Sequence, residues 1–424
     1  MILVIKNGIV ITMDEKRKEK YENLDVVIEN DTIIKLEKDY SGDYDKVIDA
    51  TGKIVLPGLI NCHTHLGMSI FRATNDSLNL DDWLNKKIWP IEDNMTDDDI
   101  YYTSLLSILE MIKTGTTCCA DMYFGCNGTL KALKETNFRI LFSRCLMDGD
   151  NKGEEHLEEF KELYKNNQTD LIKWAVSLHA FYTCSKEYLK NGSDLSLELD
   201  LPLHIHFCEN KSEVEGIKKD YGTLSNALES TGLLRNKLLL AHATFLSDDV
   251  LNVIKDKNVS LVHNPISNLN LGCGIANISK YRDYANVCLG TDGQGSGNNM
   301  NLFYHMSLVD LLQKGLYKDP TIMNSYEVLK MATLNGAKAL GLDSEVGSIE
   351  IGKKADIIIV SLDNIESYPT VDIINNVVHN TSNINVDTTI INGHVLMEKH
   401  ELKLDINEGE VKENITSIFK RLDV

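Results

Sequence analysis

The sequence has no surplus of positive charge. Forty-three Lys and Arg stand against 63 Asp and Glu, a formal net charge of −20 over 424 residues. Phosphate binding needs clustered cations, so nucleic acid and an anionic membrane surface are excluded as partners. A small molecule stays open, because such a ligand meets only its pocket. No run reaches the ~18 apolar residues of a membrane span. Met1 to Thr12 has no basic leader segment, and Lys6-Asn-Gly8 interrupts it like a hairpin turn, so it reads as strands rather than a secretory signal. None of the nine cysteines has CxxC spacing, although Cys118 and Cys119 are adjacent. A chain with 43% hydrophobic residues builds its own core without disulfide staples. These exclusions leave a soluble, cytoplasmic protein with reduced and mostly buried thiols. No internal repeat or low-complexity linker interrupts it.

What is present divides into ends and middle. Short β-like runs separated by turn residues fill the first stretch: Ile2 to Ile5, Gly8 to Thr12, Leu24 to Ile28, Thr32 to Leu36 and Lys46 to Asp49. Ile357 to Val360 and Val386 to Gly393 repeat the pattern near the other end. Residues 1–57 and 345–424 therefore predict one small β-sandwich domain built from both termini. The middle, 58–344, alternates. Apolar runs suited to buried parallel strands recur at 54–65, 116–122, 139–146, 172–180, 201–209, 237–243, 259–265 and 287–293. Helical spacing marks 97–114, 154–166, 247–257 and 325–340. Strand and helix alternating about eight times predict an α/β fold, a (β/α)8 TIM barrel.

Metal-binding side chains stand where these strands end. His63 and His65 close the first strand, His179 the fourth, His206 and Glu209 the fifth, His242 the sixth and Asp292 the eighth. Active sites of such barrels lie at that end of the strands. One buried histidine is more often a hydrogen-bonded core residue. Seven titratable groups at one barrel end do not share that explanation. His63 and His65 alternate and so share a strand face. Imidazole suits Zn²⁺ or Fe²⁺. With a third nitrogen from His206 and an oxygen from Asp292, the set suits a catalytic site with room for one water.

These motifs resemble the amidohydrolase superfamily. The carriers are Pro57-Gly-Leu-Ile-Asn-Cys-His-Thr-His65, His204-Ile-His-Phe-Cys-Glu209, Ala241-His242, His263-Asn-Pro265 and Gly290-Thr-Asp292, and the resemblance spans essentially the whole chain. Many members hold two metals bridged by a carboxylated lysine at the end of strand 4. Here that end carries His179, and the nearest lysine, Lys173, lies at the strand's opposite end. The resemblance therefore implies one divalent ion, Zn²⁺ or Fe²⁺, on His63, His65, His206 and Asp292. It also implies the mononuclear branch, rich in purine and pyrimidine deaminases. In that chemistry Asp292 and His242 take the proton of water while Glu209 protonates a ring nitrogen. The plain alternative for Glu209 is a carboxylate at a helix start. Zinc deaminases of the nucleic-acid-editing type are excluded, because no P-C-x-x-C occurs.

The chain resembles in particular the S-adenosylhomocysteine, 5′-methylthioadenosine and 5′-deoxyadenosine deaminases. Its loop 71–92 is similar to their substrate cover. That likeness implies substrate contacts from Glu92 to the ribose, from Arg144 and from His179, beside Glu209. A cap before Asp97 is the other reading of Glu92, and a buried ion pair that of Arg144. Relatives that use S-adenosylhomocysteine carry a second arginine after strand 3, whereas Asp148 to Glu155 offers only Lys152. The expected partner is thus an adenine nucleoside, 5′-deoxyadenosine or methylthioadenosine first, adenosine next and S-adenosylhomocysteine third. A guanine or pterin deaminase, or a triazine chlorohydrolase, is the competing expectation. A homo-oligomer is expected by analogy alone.

Overall fold

The computed structural model describes residues 1–17, 20–74 and 77–424. Eight parallel barrel strands appear where the apolar runs stand. They begin with Leu59–Thr64, Thr116–Asp121 and Arg139–Phe142, the third continued by Cys145–Leu146. The fourth is Ile172–Trp174 continued by Val176–Leu178, and Leu203–Phe207, Leu238–His242, Val259–His263 and Asn286–Leu289 complete the set. Neighbours pair in parallel from first to eighth. The backbone N–H of Asp292 closes the ring by donating to the His63 carbonyl at 3.0 Å.

Strands 3 and 4 were expected to be continuous, and each is broken in two. At the break Ser143 Oγ bonds the Asp121 carbonyl at 2.7 Å and Ser177 Oγ at 2.5 Å, a side chain standing in for ladder bonds. The predicted helix over 325–340 also divides, into Ser325–Met331 and Leu334–Leu340. Strand 1 causes this: Ile60 N–H donates to the Ala332 carbonyl at 2.8 Å, taking it from the helix ladder. Helices Asp97–Lys113 and Gly153–Asn166 match expectation, while the one at 247–257 shortens to Asp248–Ile254.

Strands from both ends form one nine-stranded sheet. Leu3, Ile5, Val26, Ile28, Val55, Ile357 and Ile390 meet in a common core, so the sheet wraps around it as a sandwich. Lys6-Asn-Gly8 is a bulge rather than a hairpin turn. Strand Ile2–Val10 runs through it, with Asn7 at φ +63° and a register shift between Ile5 and Gly8. A Cβ on Gly8 would meet Val55 at 2.5 Å, so close strand packing requires glycine there. The barrel joins this sheet through Arg139, whose guanidinium donates to both oxygens of Asp356 at 2.7 and 3.0 Å. Helix Glu408–Leu422 returns to the barrel, where Arg421 pairs with Asp99 and Glu408 with Lys113. Among the described residues, no helix is long and apolar enough to cross a membrane. All nine cysteines are free and buried.

Candidate active site

The C-terminal ends of strands 1, 5, 6 and 8 bring five side chains together. His63, His65 and His206 form one group of candidate ligand atoms within 4.8 Å of one another, and His63, His242 and Asp292 form a second. Asp292 Oδ1 lies 3.1 Å from His65 Nε2 and 3.5 Å from His63 Nε2, while His206 Nε2 is 3.3 Å from His65 Nε2. Donors about 2.0–2.1 Å from a tetrahedral ion stand roughly 3.3 Å apart, so this spacing fits one ion.

The ring tautomers agree with that fit. Carbonyl oxygens face the far nitrogens of three rings: Met122 for His65, His179 for His206 and Asn268 for His242. Each such Nδ1–H donates outward and turns Nε2 inward. His63 Nδ1 instead meets His204 Nε2 at 3.0 Å, and its own Nε2 is fully buried with no hydrogen bond. A buried polar atom without a partner is costly, so His63 Nε2 is shaped for something outside the chain. Burial pushes the His63 imidazole down to about 4 and His206 well below its usual range, so both rings are neutral. Burial opposes the charge on Asp292, yet the neighbouring His63 and His65 imidazoles hold its carboxyl well below the usual range. Ser267 and Ser296 hydroxyls hold its other oxygen at 2.7 and 2.8 Å.

Backbone strain marks the same end. Cys208, His242, Ala243 and Asp292 have φ of +54°, +70°, +48° and +63°, unusual for residues with a Cβ. Strain of this kind concentrates at functional sites.

Above the donors opens a cavity of about 740 Å³. His65, Glu92, Arg144, His179, His206, Glu209, His242 and Asp292 line it. Glu209 lies just past strand 5, 4% exposed, with Oε2 3.7 Å from His242 Nε2. Burial, and then the charge of Asp292, raises its carboxyl well above the ordinary range, which favours its protonated form. Burial lowers His179 to about 3, and its Nδ1 meets Thr183 Oγ1 at 2.8 Å. Helix Asp97–Lys113 is capped by Thr96 and Asp99, so Glu92 is not its cap. Glu92 instead accepts from the Tyr123 hydroxyl at 2.5 Å. It sits on a short helical cover, Leu80–Trp83 to Trp89–Glu92, joined by the π-turn Leu84–Ile88. Asn75 and Asp76 of the expected cover loop lie outside the described residues.

Arg144 reaches the cavity wall, yet its guanidinium is engaged by Glu159 at 2.9 Å and by the Cys145 carbonyl. Lys173 faces Glu345 at the other barrel end, away from the donors. Sequence reasoning missed several contributors: His204, Asn268, Tyr123 and, at the far end of the cavity, His156. His156 Nε2 pairs with Asp150 at 3.3 Å and its Nδ1 with the Met147 carbonyl at 2.9 Å.

Comparison with known proteins matches residues 54–396 to the amidohydrolase family. The chain belongs to that family. It is 40% identical over 435 residues to a 5-methylthioadenosine/S-adenosylhomocysteine deaminase of Thermoanaerobacter pseudethanolicus, covering 100% of this chain and 99% of that one. It is 38% identical over 422 residues to a 5′-deoxyadenosine deaminase of Methanosarcina acetivorans, covering 98% and 97%. Among solved structures, an adenosine deaminase from Xanthomonas campestris with bound zinc superposes with a TM-score of 0.93 at 27% identity, over 99% of this amidohydrolase and 98% of that chain.

Proposed function

We propose that this chain is a metal-dependent hydrolytic deaminase that converts the 6-amino group of an adenosine derivative to the 6-oxo group, releasing ammonia. The observation that carries the reading is Glu209, a carboxyl buried in the cavity 3.7 Å from His242 and beside the donor cluster, where burial favours its protonated form. One divalent ion, Zn²⁺ or Fe²⁺, on His63, His65, His206 and Asp292 would lower the pKa of a water towards ~7. Around it the chain's own groups move protons. Glu209 gives its proton to a ring nitrogen as the water oxygen bonds to C6. Asp292, assisted by His242, takes one proton of the water and returns it to the departing amine as the C6–N bond breaks, and the remaining hydroxyl proton passes back to Glu209 as the 6-oxo group forms. Amide cleavage has less need of an acid placed for a ring nitrogen.

Glu92 supports a ribose: a carboxylate suits two adjacent hydroxyls. The far end of the cavity supports an uncharged 5′ group, since Arg144 is held by Glu159 and His156 by Asp150. The preferred order is 5′-deoxyadenosine or methylthioadenosine, then adenosine, then S-adenosylhomocysteine. Ammonia release across 5′-modified adenosines, with free guanine and a chlorotriazine alongside, tests this. Faster turnover of guanine or the chlorotriazine than of every nucleoside would end the nucleoside reading.

A further inference from the structure

We propose that Glu213 is a positioning residue for Glu209: its carboxyl group pins the backbone turn from which Glu209 enters the cavity. The inference rests on the proton-donating role given to Glu209 above.

Glu213 occupies the third position of helix Lys211–Tyr221, behind the N-cap Asn210. Asn210 already caps that helix, its side chain accepting from Glu213 N–H at 2.8 Å. A glutamate at this position ordinarily returns the bond to the N–H of the cap residue itself. Here the carboxyl passes Asn210 and accepts instead from the N–H of Glu209, at 2.8 Å. The helix does not require that bond.

The turn does. Cys208 has φ +54°, a left-handed conformation that crowds its Cβ against the following carbonyl oxygen. Its carbonyl is held on one side by Thr244 and Phe245 N–H at 3.0 and 3.3 Å. Glu213 holds the N–H of the same peptide unit on its other side. These two tethers fix that peptide at the turn, and the Glu209 side chain beyond it lies 3.7 Å from His242. Glu213 is itself 5% exposed, and its second oxygen is buried without a partner. A surface cap has no reason to bear that desolvation; a brace for a catalytic acid does.

Two substitutions separate reach from ionisation. Glu213→Asp keeps the carboxyl but is one methylene too short to meet the Glu209 N–H. Glu213→Gln cannot ionise but keeps an oxygen at the same distance. Both are compared with the metal-loaded full chain for kcat, KM, bound metal and melting temperature, on 5′-deoxyadenosine. For Glu213→Asp we expect kcat to fall about 10–100-fold, the scale of a misplaced catalytic group. KM should stay within about 3-fold, since the ribose contacts are elsewhere, and bound metal should stay unchanged. Glu213→Gln should retain kcat within about 3-fold. Equal kcat for Glu213→Asp and the parent chain overturns the role of Glu213. So does a Glu213→Gln variant as slow as Glu213→Asp, or a loss of metal that accounts for the loss of rate. A parent chain that deaminates no adenosine derivative defeats the reading of Glu209 itself, which is a separate failure.

Discussion

At the end of the barrel that carries Arg139, buried charge is matched within the chain; at the end that carries His63, it is left open. Arg139 is 1% exposed, and Asp356 meets it through two hydrogen bonds, with Asn392 accepting a third. Around it the barrel floor is filled by Cys62, Cys118, Val262 and Cys288. At the other end His63 Nε2, Asp121 Oδ2, Glu213 Oε1 and both nitrogens of His263 are buried without partners. Positive φ at His242, Ala243 and Asp292 adds strain there. Natural interiors avoid such groups, so their placement beside the cavity and the strained donor turns indicates a surface finished by a ligand, not by the fold.

The largest effect should come from removing the proton without disturbing anything else at the open end. Glu209→Gln is expected to cut kcat by roughly 10²–10⁴ with metal content unchanged, as read by ammonia release and metal analysis. More than a tenth of parent activity would remove Glu209 from the chemistry. His206→Ala tests whether an ion is what completes this end. Zn²⁺ should raise the melting temperature of the parent chain, since a ligand bound only to the folded state stabilises it by about 4 kcal/mol at 1,000 times its Kd. The variant should show little or none of that rise. An equal rise in both would mean that these donors are not the binding site.

The closed end should behave in the opposite sense. Arg139→Met leaves Asp356 buried and uncompensated, and is expected to cost about 3–5 kcal/mol of stability. The kcat of the folded fraction should not change. Denaturant unfolding with parallel kinetics checks both; a stable variant with poor kcat would join the two ends and break the contrast.

The open end was also the more legible in sequence. Parallel strands buried on both faces are plain apolar runs, and donor residues stand where those runs stop, so all eight strands could be anticipated. The breaks in strands 3 and 4 could not, because Ser143 substitutes for the ladder only once strands 2 and 4 lie beside it. The same holds for Asn268, Tyr123 and Glu213, whose partners are set by which loops become neighbours. Glu213 had one local signal, a glutamate three residues after Asn210, but that spacing reads as a helix cap. Its bond to Glu209 emerges only from the turn at Cys208. The Arg139–Asp356 pair spans 217 residues of sequence and left no local trace.

The smallest expected effect concerns pH. Burial raises the Glu213 carboxyl from 4.5 to about 8, against bonds from the Glu209 and Cys208 backbone that lower it. In the unfolded chain the proton leaves near 4.5; in the folded chain it stays until about 8. Between those values unfolding releases a proton, so this group's contribution to stability falls as pH rises through that window. It is level below about 4.5 and level again above about 8. Glutamine does not titrate. The melting temperature of Glu213→Gln minus that of the parent should therefore grow between pH 5 and 8, by at least about 1–2 °C. Titrating groups remote from Glu213 cancel in that difference, because both chains share them. A difference independent of pH would show that Glu213 ionises as freely as a surface carboxylate. That result would place it among the matched charges and erase the distinction between the two ends at this residue.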